Sequence, residues 1–244
     1  MELLAHLPQA AILDAYAKAA GRELDGKANS PESSSALVAN TLGYFLDRPS
    51  LLPPLPGLEN AGWPALSVAL EVNVRFPWPG GRHPWLDALV ETSTHTIGIE
   101  SKRFEPYRGR YHAQFSQTYE RDVWVRTMVP YIQLMAELRL EPMGMDALDA
   151  GQLIKHALAL STQCAKTGKQ PVLYYRYADP RTWADGRAIT DAQRAKHADD
   201  LAVFARRVVG AHVRFVAATY AEILETWRTP DLCHHADAVS ERFL

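Results

Sequence analysis

Two short apolar stretches with charges set inside them constrain this chain most. Pro84-Trp85-Leu86-Asp87-Ala88-Leu89-Val90-Glu91-Thr92 and Ile97-Gly98-Ile99-Glu100-Ser101-Lys102 are dominated by apolar and β-branched residues, with polar Ser93-Thr94-His95-Thr96 between them. That is the pattern of strand, turn, strand. Side chains alternate faces along a strand. Glu100 and Lys102 therefore share one face and Ile97 and Ile99 the other, while Asp87 shares its face with Leu89 and Glu91. Paired as a hairpin, the two strands bring Asp87 beside Glu100 and Lys102.

Burying a carboxylate without a partner costs several kcal/mol or shifts its pKa. A divalent cation removes that cost, and hard carboxylate oxygens suit Mg²⁺ or Mn²⁺. An aspartate, a turn and then Glu-x-Lys on the next strand resemble the PD-(D/E)xK nuclease superfamily. Here the pieces are Pro84, Asp87 and Glu100-Ser101-Lys102, with Trp85 and Leu86 separating the proline from the aspartate. The segment Glu32-Ser33-Ser34-Ser35-Ala36-Leu37-Val38-Ala39-Asn40 also resembles the SSQALxxN helix of one branch of restriction-endonuclease-like proteins.

The resemblance implies an α/β (α+β) restriction-endonuclease-like fold. Its αβββαβ core has a mixed central sheet flanked by helices, and here a C-terminal αβα extension follows. It implies Asp87, Glu100 and Lys102 as catalytic residues. Asp87, Glu100, the Ser101 carbonyl and Glu71 would hold Mg²⁺ (or Mn²⁺), with Glu32 as an outer acid. Glu32 reads first as a first-turn capping acid, and Glu71 equally as a solvated strand carboxylate.

Along the chain, residues 1–28 read as a helical decoration, with a helix from Leu7 to Ala20 ending at Gly21. Ser30 reads as the N-cap of a second helix, with Pro31 at its first position, running to about Asp47. Pro49 to Pro64 reads as loop. Ala65 to Phe76 reads as a strand, with Val68, Leu70, Val72, Val74 and Phe76 on one face. Arg103 to Met128 interleaves arginines with aromatics and reads as an amphipathic helix. Its Arg103, Arg108, Arg110 and Tyr119 are candidate contacts to phosphates and bases; Gln117, with Tyr119, joins them because the two resemble the Gln/Tyr helix after the ExK strand of exonuclease-type members, and Pro130 opens another helix from Tyr131 to Arg139. A helix (Leu153–Lys166), a strand (Pro171–Tyr177), a helix (Thr190–Val209), a strand (His212–Ala217) and a helix (Tyr220–Trp227) follow. The core then spans 29–180 and the extension 181–244, in one domain.

The chain's net charge of −2 supplies no general positive field, so nucleic-acid binding needs a local basic patch. No apolar run approaches the ~18 residues of a membrane span, and no signal-peptide pattern opens the chain. Two cysteines make no disulfide framework, which points to a cytoplasmic protein. Cys233-His234-His235 with distant Cys164 falls short of a zinc site. The expected function is metal-dependent hydrolysis of phosphodiester bonds in nucleic acid, DNA by analogy, by a protein that can act as a homodimer. The alternatives are a nuclease-fold module without catalysis, which binds nucleic acid or a partner, and a domain in which Lys102 merely neutralises Asp87 and Glu100.

Overall fold

The computed structural model describes residues 1–19 and 29–244. Five strands form one sheet in sequence order: β1 (Ser67–Asn73), β2 (Trp85–Glu91), β3 (His95–Lys102), β4 (Gln170–Tyr177) and β5 (Arg214–Thr219). The first three make an antiparallel meander, and β3–β4 and β4–β5 pair in parallel. Short loops permit the antiparallel pairs, whereas parallel neighbours need crossovers. Those crossovers carry α3 (Glu105–Arg108), α4 (Val129–Leu140), α5 (Ala150–Thr167) and α6 (Asp191–Arg207).

Helices cover both faces. On one, α1 (Gln9–Lys18), α2 (Ser34–Thr41), α7 (Tyr220–Glu225) and α8 (Cys233–Phe243) bury Ile12, Leu37, Ile223 and Val239 against Ala88, Val90, Ile97 and Ile99. On the other, α4, α5 and α6 bury Leu134, Leu158 and Phe204 against Leu86, Leu173 and Tyr175. At ~25 cal/mol per Å² of apolar area, these two cores dominate the stabilisation. α5 sits close because Gly98 has no side chain: a Cβ there would lie 2.7 Å from Leu160 and 2.8 Å from Leu86. Among the described residues no helix is long and apolar enough to cross a membrane.

The structure departs from the sequence pattern in four places. The second helix is capped by Ser33, whose hydroxyl accepts the Ala36 N–H at 3.1 Å, so Ser30, Pro31 and Glu32 precede it; the helix passes into a 3₁₀ turn, Leu42–Phe45. Residues 103–128 are not one helix. α3 ends after one turn at Gly109 (φ 64°), and the chain continues irregularly with short 3₁₀ turns at Gln117–Glu120 and Arg126–Met128. The tail from Cys233 is a helix, α8, whose Ala236, Val239 and Phe243 face the core. The helix end expected at Ala20–Gly21 lies outside the described residues.

The fourth departure shapes the site. Val68 and Leu70 pack into the first core, but Val74 and Phe76 pack into the second. The faces exchange at Glu71, a non-glycine residue at φ 50° inside a strand. β2 exchanges faces at the matching point, with Leu86 in the second core and Ala88 in the first. The pairs Leu70↔Ala88 and Val72↔Leu86 place Glu71 across from Asp87. A left-handed residue costs roughly 1–2 kcal/mol, and such residues cluster at functional sites.

Candidate active site

Pairing of β2 with β3 runs from Glu91↔Thr96 to Ala88↔Ile99 and stops one residue short of Asp87 and Glu100. Beyond that point the strands part. The backbone N–H of Ser101 donates instead to Asp87 Oδ2 at 2.7 Å. The splayed ends open a cleft of about 450 Å³, lined by Asp87, Glu100, Ser101, Lys102, Glu105, Gln152, Arg108, Glu32 and the serines at the start of α2. A stalled ladder thus gives both acids a common opening.

Glu100 is 1% exposed. Its Oε1 accepts from Lys102 Nζ at 2.5 Å, and Lys102 also donates to Gln152 Oε1 at 2.8 Å. Its Oε2 lies 3.1 Å from His156 Nδ1, yet the two are not aligned for a hydrogen bond, and both atoms are buried without a hydrogen-bond partner. Burial pushes the half-buried Asp87 carboxyl well above the usual carboxylate range. The Glu100 charge adds to this, Lys102 opposes it and Glu71 adds again. Burial would also raise Glu100, but Lys102 and His156 outweigh it and hold that group down at about 2. Burial works against the Lys102 ammonium too, but Glu100 and the other nearby oxygens keep its pKa above the usual lysine range. The site therefore has an ionised Glu100–Lys102 pair next to an acid that resists ionisation while no further cation is near.

The donor set fits a hard divalent cation in part. Among the described residues no three His, Cys, Asp or Glu side chains are placed to hold a metal ion. Two carboxylates and a backbone carbonyl suffice for Mg²⁺, which keeps several waters and takes one or two carboxylates. Such an ion would stabilise the Glu100 Oε2 that lacks a hydrogen bond and the disfavoured ionised form of Asp87.

The structure places Asp87, Glu100, Ser101 and Lys102 along one cleft, with Glu71 across from Asp87. Glu32 lies at the mouth, paired with Arg108. Of the five expected nucleic-acid contacts, Arg108 lines the cleft. Arg103 is buried and donates to the Phe243 and Pro31 carbonyls, so its guanidinium is unavailable to a phosphate. Arg110 is exposed beyond α3. Gln117 and Tyr119 lie in the 3₁₀ turn, where Tyr119 packs edge-on against Phe76 and Trp78.

Gln152 and His156 escaped the sequence reading. They stand one turn apart at the start of α5, and Asp149 caps that helix by accepting the Gln152 N–H at 2.9 Å. The cap and the i, i+4 spacing were visible signals; the partner strand was not. Tyr220 was missed as well: its hydroxyl meets Ser101 Oγ at 2.6 Å, and Arg176 lies 4.2 Å over its ring.

A mixed sheet between helical layers, with Asp and Glu-x-Lys at a splayed strand end, defines the restriction-endonuclease-like fold. The chain belongs to the family of restriction endonucleases associating with ARP, whose model matches residues 8–241. No curated protein and no solved structure matches it.

Proposed function

We propose that the protein is a metal-dependent nuclease, acting on DNA, with its active centre at Asp87, Glu100 and Lys102. One observation carries this reading: two carboxylates and a lysine meet where β2 and β3 part, and one carboxylate oxygen has no hydrogen-bond partner. A structural ion pair would need only Glu100 and Lys102, and a neutral acceptor at position 87 would serve the Ser101 N–H without a second buried acid.

Asp87, Glu100 and the Ser101 carbonyl would hold Mg²⁺ or Mn²⁺, with Glu71 reaching it from the neighbouring strand β1. Such an ion acidifies water and stabilises charge on a phosphoryl oxygen. Lys102 has three N–H donors. Glu100 and Gln152 take two, leaving one for the attacking water or a phosphate oxygen. An ammonium fixed in advance needs no reorganisation as charge develops. Gln152 sets the Lys102 geometry, and His156 stands beside Glu100 Oε2. Association with ARP, part of the family's description, carries over as a proposed partner.

Calorimetric titration with Mn²⁺ tests the site. Wild-type protein should bind with release of a proton from Asp87, and Asp87→Asn should give no heat. Equal binding by both proteins would remove the ion from this cleft.

A further inference from the structure

The cleft does not end at the carboxylates. Asp87, Ser35 and Gln152 also line a second chamber of about 760 Å³, which runs along the β1–β2 hairpin past Glu71 and Asn73 to Arg75, Arg82 and His83. A third, of about 500 Å³, joins at Trp85 and Gln152 and passes Lys155 and His112. The three meet at Gln152, beside the Lys102 ammonium. The groove has acids on its floor and cations at its far end.

The hairpin is built to hold its cations out. Strand pairing continues past β1 through a bond from the Val74 N–H to the Pro84 carbonyl, and the Phe76 N–H donates to His83 Nδ1 at 3.1 Å. Phe76 stacks on Trp78 with centroids 4.8 Å apart, and Tyr119 and Trp124 pack edge-on against both. Arg121 lies 5.3 Å over the Trp78 ring. The aromatic segment after α3 therefore braces the hairpin from outside the groove. Arg75 and Arg82 are exposed, and neither makes an ion pair among the described residues. Eight arginines behave otherwise among the described residues: Arg48, Arg108, Arg139, Arg187, Arg194, Arg207, Arg228 and Arg242 each pair with a carboxylate.

We propose that the β1–β2 hairpin is the arm that holds the DNA backbone next to the scissile phosphate, with Arg75 and Arg82 as its phosphate contacts. This rests on the nuclease reading and places the substrate on the β1 side of Asp87. Unpaired guanidiniums in a groove that ends at two carboxylates attract a polyanion and hold it in register; they carry no base information. The chain's overall negative charge makes these two local cations matter more.

Fluorescence anisotropy with a short random-sequence DNA duplex in EDTA, between about 50 and 200 mM salt, tests the assignment. Each phosphate contact contributes about one unit to the slope of log affinity against log salt. Arg75→Gln/Arg82→Gln should therefore flatten the slope by about 2 and weaken binding roughly 10–100-fold at the low-salt end. Arg75→Lys/Arg82→Lys should keep the slope, which separates lost charge from altered folding. Arg206→Gln, an exposed arginine on α6, should match wild type. Wild-type binding with an unchanged slope in the double glutamine variant would overturn the hairpin assignment and leave the nuclease reading standing. Wild-type protein that neither binds nor cleaves DNA would overturn both.

Discussion

Asp87 Oδ2 accepts the backbone N–H of Ser101 at 2.7 Å, taking the place of the strand partner that β3 loses as β2 turns away. A side chain thereby closes the ladder and aims the remainder of its carboxylate at the cleft. The bond is structural, and a second acid whose ionisation beside Glu100 is disfavoured is a cost that function explains.

Asp87 should therefore be a site where stability and activity oppose each other. Its folded pKa is raised above the ordinary 3.8 by burial and by Glu100. The folded state then holds the proton longer than the unfolded chain, and stability falls as pH rises from about 4 upward. Asp87→Asn keeps an acceptor for Ser101 and removes the charge. At neutral pH without added metal it should raise stability by about 0.5–2 kcal/mol, or ~2–4 °C in Tm per kcal/mol, and abolish cleavage. Asp87→Ala also loses the acceptor and should fall below the asparagine variant by about 1 kcal/mol. Thermal melts in EDTA check the order.

Lys102 cannot be removed without consequence, contrary to the simplest expectation for a catalytic side chain. Lys102→Met leaves an ionised Glu100 buried, and Glu100→Gln leaves the ammonium without its nearest anion. Each single change should cost about 3–5 kcal/mol, and the double change should recover most of it. Urea unfolding of the three variants checks this cycle.

Gln152→Met removes one of the two acceptors that fix Lys102 while keeping helix propensity. Cleavage should fall roughly 10–100-fold, mainly in kcat, because supporting groups of this kind orient rather than bind. Metal affinity should change little, which calorimetry reads separately.

Acid should unfold the protein partly through two histidines that do not line the cleft. Burial holds His197, bonded to the Tyr175 hydroxyl at 3.0 Å, down at about 4, and burial likewise holds His235 at about 4. Both folded values lie below the ordinary 6.5, so the unfolded chain binds more protons between pH 6.5 and 4. Stability rises with pH in that window and is lost on acidification, up to about 3 kcal/mol for each ring. His197→Gln keeps a partner for Tyr175 and should flatten the slope of Tm against pH over that window.

The sheet and the three motif side chains were legible because strand alternation and charge placement are local signals. Segment 103–128 was not. Its aromatics recur at helical spacing, but Tyr119 and Trp124 pack on the β1–β2 hairpin while Phe104 stacks on Trp183, and the helix ends after one turn at Gly109. The face exchange at Glu71 was hidden for a related reason: alternation predicts one face, and a single left-handed residue rolls the strand onto the other core. Gln152 and His156 depend on where α5 lands, which Gly98 allows from another strand. α8 opens on Cys233, His234 and buried His235, so its apolar stripe was thin.

The most direct measurement is cleavage of a DNA duplex by wild-type protein and by Asp87→Asn, each with Mg²⁺ and with EDTA, with folding of both followed by thermal melting. The expected result is products in one reaction only, wild type with Mg²⁺, while the asparagine variant is folded, inert and at least as stable. Equal cleavage by the folded variant, or cleavage by wild type that persists in EDTA, would contradict a metal-dependent centre at Asp87 and Glu100.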